Sequence, residues 1–125
     1  EIDLGDREAA IEGAEILGRT MHLSGREFAE LVVSSTCELI ENMIIDYVIQ
    51  HYWQNSLAGF IATRKNHAVL GVDFSLKIPL VGIGAAARYF LPAVAERLKT
   101  TVAFPADCEV GNAVGAAMIG LSGER

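Results

Sequence analysis

Residues 78–97, IPLVGIGAAARYFLPAVAER, join a short apolar run to a helix-forming stretch through a turn with almost no side-chain bulk. Ile78, Leu80, Val81 and Ile83 give the pattern of a buried strand, and Gly82, Gly84, Ala85, Ala86 and Ala87 form the bend. From Leu91 onward Ala, Leu, Glu and Arg favour a helix. A strand that feeds a helix through so small a turn brings backbone N–H groups and the helix N-terminus to one point. No side chain holds a ligand away from that backbone, so the turn suits a nucleotide phosphate or ribose.

The pattern then repeats in outline. Thr101 to Phe104 reads as a second strand closed by Pro105, and Glu109 to Leu121 (EVGNAVGAAMIGL) as a last helix. Gly111, Gly115 and Gly120 cost that helix stability, and with Ala116 these small residues point to close approach of a strand, another helix or a ligand. Strand–helix–strand–helix over 78–121 is the signature of an α/β layer with parallel strands. Ligands in such sheets sit beyond the carboxyl ends of the strands, where Gly82–Ala87 and Pro105–Glu109 fall.

Ahead of this layer, residues 1–53 read as helical. Asp6 to Met21 predicts an amphipathic helix with Asp6 as its N-cap and Ala10, Ala14, Leu17 and Met21 on one face. Ser24-Gly25-Arg26-Glu27 is a capping box that starts a second helix, running from Gly25 to Trp53 and roughly 40 Å long. Phe28, Leu31, Leu39, Met43 and Tyr47 form one apolar stripe, and Val33, Cys37, Ile40, Ile44 and Val48 a second. Glu27, Glu30, Ser34, Glu38, Glu41 and Asp46 mark a polar ridge between them. Two stripes predict contact on two sides. Over 54–77 the pattern predicts short strands at Phe60–Ala62 and Val69–Phe74, with an exposed turn at Arg64–His67 between them.

At 125 residues the chain fits a single domain able to bury a core. It is 51% hydrophobic and 21% charged, which excludes disorder. A net charge of −6 argues against a nucleic-acid surface or a polybasic membrane patch, while leaving ATP open because backbone amides and a metal ion usually meet phosphates. Cys37 and Cys108 stand outside any CxxC or His/Cys cluster, so a disulfide framework or zinc site is not expected and a reducing, cytoplasmic setting fits. No apolar run reaches bilayer-spanning length and no signal peptide is visible. Starting at Glu1 with a helix almost at once, the chain reads as a fragment of a larger protein.

Several residues carry more than one reading. Gly82-Ile83-Gly84-Ala85-Ala86-Ala87 fits the dinucleotide pattern GxGxxG/A, but a Rossmann site also needs an acid at the end of the next strand, and that strand ends TVAFP. The small residues equally permit tight strand–helix packing. Asp107, Glu109 and Asn112 cluster at the start of the last helix, where capping is the simpler role and ligand contact the other. Cys108 near a helix start has the setting of a lowered thiol pKa, with no histidine partner evident; Cys37 lies on an apolar stripe and reads as core. His22, His51 and His67 follow no metal-ligand spacing. Arg88 is placed either to stack on a base or reach a phosphate, or to sit in solvent.

Together LVGIGAAAR, FLPAVAERL, TVAFP and NAVGAAM resemble the C-terminal part of the hydantoinase/oxoprolinase family, and the helix SGREFAELVVSSTCELIENMIIDYVI is similar to the one preceding that part. The resemblance covers roughly residues 20 to 121. It implies an α/β fold, the C-terminal lobe of an actin-like (ribonuclease H-like) ATPase preceded by a long helix. It further implies ATP as cofactor, with Gly82, Gly84 and Ala85 in the adenosine-side turn, although Ile83, Ala86 and Ala87 replace glycines usual there. Magnesium and the phosphate hairpins belong to an N-terminal lobe, so no metal ligands or catalytic residues are expected in this chain. The implied activity is ATP-dependent hydrolysis of a cyclic amide of hydantoin or 5-oxoproline type, with a partner subunit. The alternatives are an ATP-driven reactivase of a partner enzyme, whose relatives share the end pattern, and the Rossmann-type dinucleotide domain.

Overall fold

The computed structural model of the chain describes residues 5–111 and residue 118. Among the described residues the chain forms helices α1 (Arg7–Thr20), α2 (Gly25–Trp53), α3 (Ala58–Thr63) and α4 (Ala87–Arg97) and strands β1 (Leu80–Val81) and β2 (Val102–Ala103), which pair in parallel. The chain divides into two compact units, Glu1–Thr36 and Cys37–Arg125, the division falling within α2.

In the first unit, the Asp6 carboxylate accepts the Ala9 N–H at 3.0 Å and starts α1 as its N-cap. The helix closes in a Schellman turn: His22 adopts φ +58°, its N–H reaches the Arg19 carbonyl and the Leu23 N–H that of Gly18. Gly18 is buried because the returning carbonyls of Leu23 and Ser24 lie where a Cβ would stand. The capping box forms as the sequence predicts. Ser24 N–H donates to Glu27 Oε2 at 2.8 Å, and Glu27 N–H to Ser24 Oγ at 3.2 Å. The expected apolar face of α1 is not covered, for Leu17 and Met21 are half exposed.

In the second unit the core is Cys37 and Ile45 of α2, Ile61 of α3, and Val94 and Leu98 at the end of α4, with Phe74, Leu76 and Leu80 packed against it. Only one stripe of α2 is therefore used here. Leu39, Met43 and Tyr47 of the other are 62%, 70% and 70% exposed, which corrects the expectation of contact on two sides. Glu41, placed on the polar ridge by sequence, is buried at 4% exposure.

The 54–77 stretch departs furthest from expectation. Phe60–Ala62 is helical, not a strand, because Asp46 on α2 reaches across to accept the Leu57 N–H at 3.2 Å and the Ser56 hydroxyl at 3.1 Å. Those bonds fix the backbone just before α3. Arg64–Asn66 form a 3-10 turn in which Arg64 is buried, not exposed. Val69–Phe74 form no strand; the Val69 and Leu70 N–H groups donate to His67 Nδ1 instead of to a ladder.

The strand–helix–strand order over 78–103 is present, but each strand is only two residues long, shorter than the apolar runs predict. Leu80 pairs with Val102 and Val81 with Ala103, and Leu80 and Gly82 N–H donate to the Thr101 and Ala103 carbonyls. Helix α4 begins at Ala87, a turn earlier than its helix-forming stretch predicts, and takes Pro92 inside it. It ends in a second Schellman turn, with Lys99 at φ +55° and the Thr100 N–H on the Ala95 carbonyl. Of the last helix expected over 109–121, residues Cys108–Val110 form a 3-10 turn and Gly111 and Met118 are helical; positions 112–117 and 119–121 lie outside the described residues.

Candidate functional site

The turn after β1 carries only glycine, isoleucine and alanine from Gly82 to Ala87, so little side-chain bulk stands beside its backbone. Gly82 continues the ladder and is buried under the next strand's end, for a Cβ there would collide with the Phe104 ring and approach Leu91. Gly84 turns the chain at φ +100°, a conformation open to glycine and strained for other residues, and donates its N–H to the Cys108 carbonyl at 2.5 Å. A Cβ on Gly84 would meet nothing within 4 Å. Ala87 N–H returns to the Gly84 carbonyl at 3.1 Å, closing the bend into α4. Ala86 precedes the helix without a side-chain cap, so the first amides of α4 rely on other acceptors.

A shallow cavity of about 370 Å³ opens along this turn, with Ile83 to Ala87 on one side and Ile40, Phe90 and Leu91 on the other. Its wall is apolar apart from the backbone and presents no side-chain cation to a polyphosphate. Of the residues singled out by sequence, Gly84 and Ala85 line this cavity, whereas Gly82 lies behind the turn and acts by admitting Phe104.

Arg88 does not lie free in solvent. Its Nε donates to Glu109 Oε1 at 2.6 Å, and its guanidinium sits 4.9 Å from the centre of the Phe104 ring. The Glu109 hydrogen bond raises the Arg88 pKa, and the same bond holds the Glu109 carboxyl below its ordinary value. Asp107 adopts φ +59° and its side chain makes no cap hydrogen bond to the 3-10 turn that follows it; Asn112 lies outside the described residues. Cys108 and Cys37 are both buried free thiols, the first serving the turn through its carbonyl. The end of β2 carries Phe104 where a dinucleotide site would carry an acid, and its ring covers Gly82.

Two further features lie away from the turn. A larger cavity of about 560 Å³ is walled by Ile44, Ile45 and Ile49 of α2 with Phe74, Leu76 and Leu98, and no ionisable side chain lines it. Such a wall can bury an apolar group, but it lacks the glycine-turned backbone that borders the smaller cavity at Gly84 and Ala85. Glu41 is met by Arg64 at 2.8 Å, Lys65 at 3.3 Å and Arg97 at 3.4 Å. Arg64 also donates to Asn42 Oδ1 and the Ile61 carbonyl, both at 2.6 Å, and stacks on Phe74. Sequence reading missed this cluster. The one available signal was an acid on α2 with Cys37 at i−4 and Ile44 and Ile45 at i+3 and i+4.

Among the described residues no group of His, Cys, Asp and Glu is placed to hold a metal ion, and no helix is long and apolar enough to cross a membrane. Comparison with models of protein families, with curated proteins and with solved structures finds no match.

Proposed function

We propose that this chain is the nucleotide-side lobe of an actin-like ATPase of the hydantoinase/oxoprolinase type. In the full-length protein ATP hydrolysis would drive the opening of a cyclic amide such as a hydantoin or 5-oxoproline. The observation that carries the reading is the Gly82–Ala87 turn, which leaves β1 at its carboxyl end, enters α4 directly, and borders an apolar cavity at Gly84 and Ala85. A parallel pair of two-residue strands supports it, since parallel strands are normally interior pieces of larger sheets covered by helices.

In this reading Gly84 and Ala85 receive the adenosine end of ATP, and Gly82 keeps the turn pressed against Phe104. Bound ATP supplies the phosphoryl group whose transfer makes amide opening favourable. The residues described here only bind and orient it; magnesium and the hydrolytic groups would come from the N-terminal lobe. Phosphate release by the full-length protein with ATP and a panel of cyclic amides tests the proposal. Release that depends on one of these amides supports it, and none with a folded protein refutes the enzymatic half.

A second reading, an ATP-driven reactivase of a partner enzyme, draws on the uncovered stripe of Leu39, Met43 and Tyr47 along α2. Nucleotide-dependent capture of a large partner without amide hydrolysis would favour it.

A further inference from the structure

We propose that Arg88 is a positioning residue: held by Glu109 and Phe104, it braces the Gly82–Ala87 turn in its ligand-accepting shape and does not itself meet a phosphate. The inference rests on the nucleotide reading above and says how that site keeps its form.

Arg88 is the second residue of α4, and Glu109 belongs to the 3-10 turn that follows β2. Their 2.6 Å bond therefore ties the start of the helix to the loop beyond the neighbouring strand. Three other contacts converge on the same loop. Gly84 N–H binds the Cys108 carbonyl, Phe104 lies over Gly82, and Gly111 approaches Ile83 so closely that a Cβ there would meet Ile83 Cγ2 at 2.8 Å. The turn is thus gripped from one side by residues 104–111, while Gly84 to Ala87 remain open to the cavity.

The guanidinium is already committed. The half-exposed guanidinium binds the Glu109 carboxylate through Nε and lays one face against an aromatic ring, so its charge is matched before any ligand arrives. An arginine that meets phosphate would present an unmatched charge toward the ligand. This one spends its charge on the adjoining loop.

The two roles predict opposite signs. Affinities of the full-length protein for adenosine, ADP and ATP are measured for the native sequence, Arg88→Met and Glu109→Gln. A brace requires both variants to weaken all three ligands by a similar factor, about three- to tenfold for one charge-assisted bond. A phosphate-binding arginine would instead be released by Glu109→Gln, tightening ATP while leaving adenosine unchanged, and that result overturns the proposal. Amide hydrogen exchange without ligand supplies a readout independent of nucleotide. The Gly84 N–H should exchange about tenfold faster in both variants, through local opening rather than global unfolding. Unchanged Gly84 exchange overturns the brace whatever the affinities show. If the native protein binds none of the three ligands, the nucleotide reading falls and the exchange result alone decides the brace.

Discussion

Replacing Glu41 by alanine should cost the second unit about 3–5 kcal/mol, because it strands the buried Arg64 charge. The Arg64 side chain is 2% exposed and that of Glu41 6%, so water reaches neither head in the folded state. Without Glu41 the guanidinium keeps the Asn42 and Ile61 bonds on Nη1, but Nη2 loses its carboxylate and Nε already has no partner among the described residues. Lys65 and Arg97 are 44% and 30% exposed in their side chains, so their bonds to Glu41 are screened and add less than about 1 kcal/mol each.

A domain of this size is stable by only about 5–15 kcal/mol, so the loss would be visible as a large fall in the urea midpoint. Glu41→Gln should cost less, since an amide oxygen can still accept from Nη2. The double replacement Glu41→Met/Arg64→Met should recover most of the loss, because it removes both charges and leaves apolar volume in their place. A single-variant loss below about 1 kcal/mol would refute the reasoning. So would a double variant less stable than Glu41→Ala, which would mean that packing and not the stranded charge sets the cost.

Further outcomes follow from individual contacts. Gly82→Ala should destabilise by about 1–3 kcal/mol, read by thermal or urea unfolding, because its methyl group must displace the Phe104 ring from under the turn. Lys99→Gly should stabilise by about 0.5–1 kcal/mol, since the left-handed end of α4 currently holds a residue with a Cβ. The pKa of Glu27 is lowered by the Ser24 backbone N–H, so its contribution is present above the ordinary value of 4.5 and is lost as pH falls through the lower folded value. Helix content at the start of α2 should drop with acid over that range, and Glu27→Gln should remove this part of the pH dependence. Ser24→Ala, which breaks the other half of the capping box, should cost about 1 kcal/mol at neutral pH.

Local signals made the helical half legible. The Asp6 cap, the Ser24–Glu27 box and the unbroken helical pattern to Trp53 lie within a few residues of the structure they specify. The parallel strand pair and its turn were readable for the same reason, as apolar runs meeting small residues. The 54–77 stretch was not, because its conformation is dictated from α2. Asp46 sets α3 from eleven residues upstream of Leu57, and Glu41 draws Arg64 into the core from twenty-three residues away. Neither spacing has a local signature. Which stripe of α2 is buried was equally hidden, for Leu39 and Ile40 are similar by composition and differ only in what packs on them. In the candidate site, the small size of Gly84 and Ala85 marked the turn that borders the cavity, whereas the fixing of Arg88 depends on Glu109 and Phe104 arriving from beyond β2.

The nucleotide reading of the turn is tested most directly by ATP affinity in Gly84→Leu. No atom lies within 4 Å of a Cβ at this position, so the leucine would project into the space beside the turn. The backbone strain at φ +100° costs about 1–3 kcal/mol, which the full-length protein should survive and an unchanged helical spectrum would verify. Calorimetric titration of the native and Gly84→Leu proteins with ATP should show binding in the first and its loss in the second. Equal affinity in the two folded proteins would contradict the reading and leave the turn a packing device between β1 and α4.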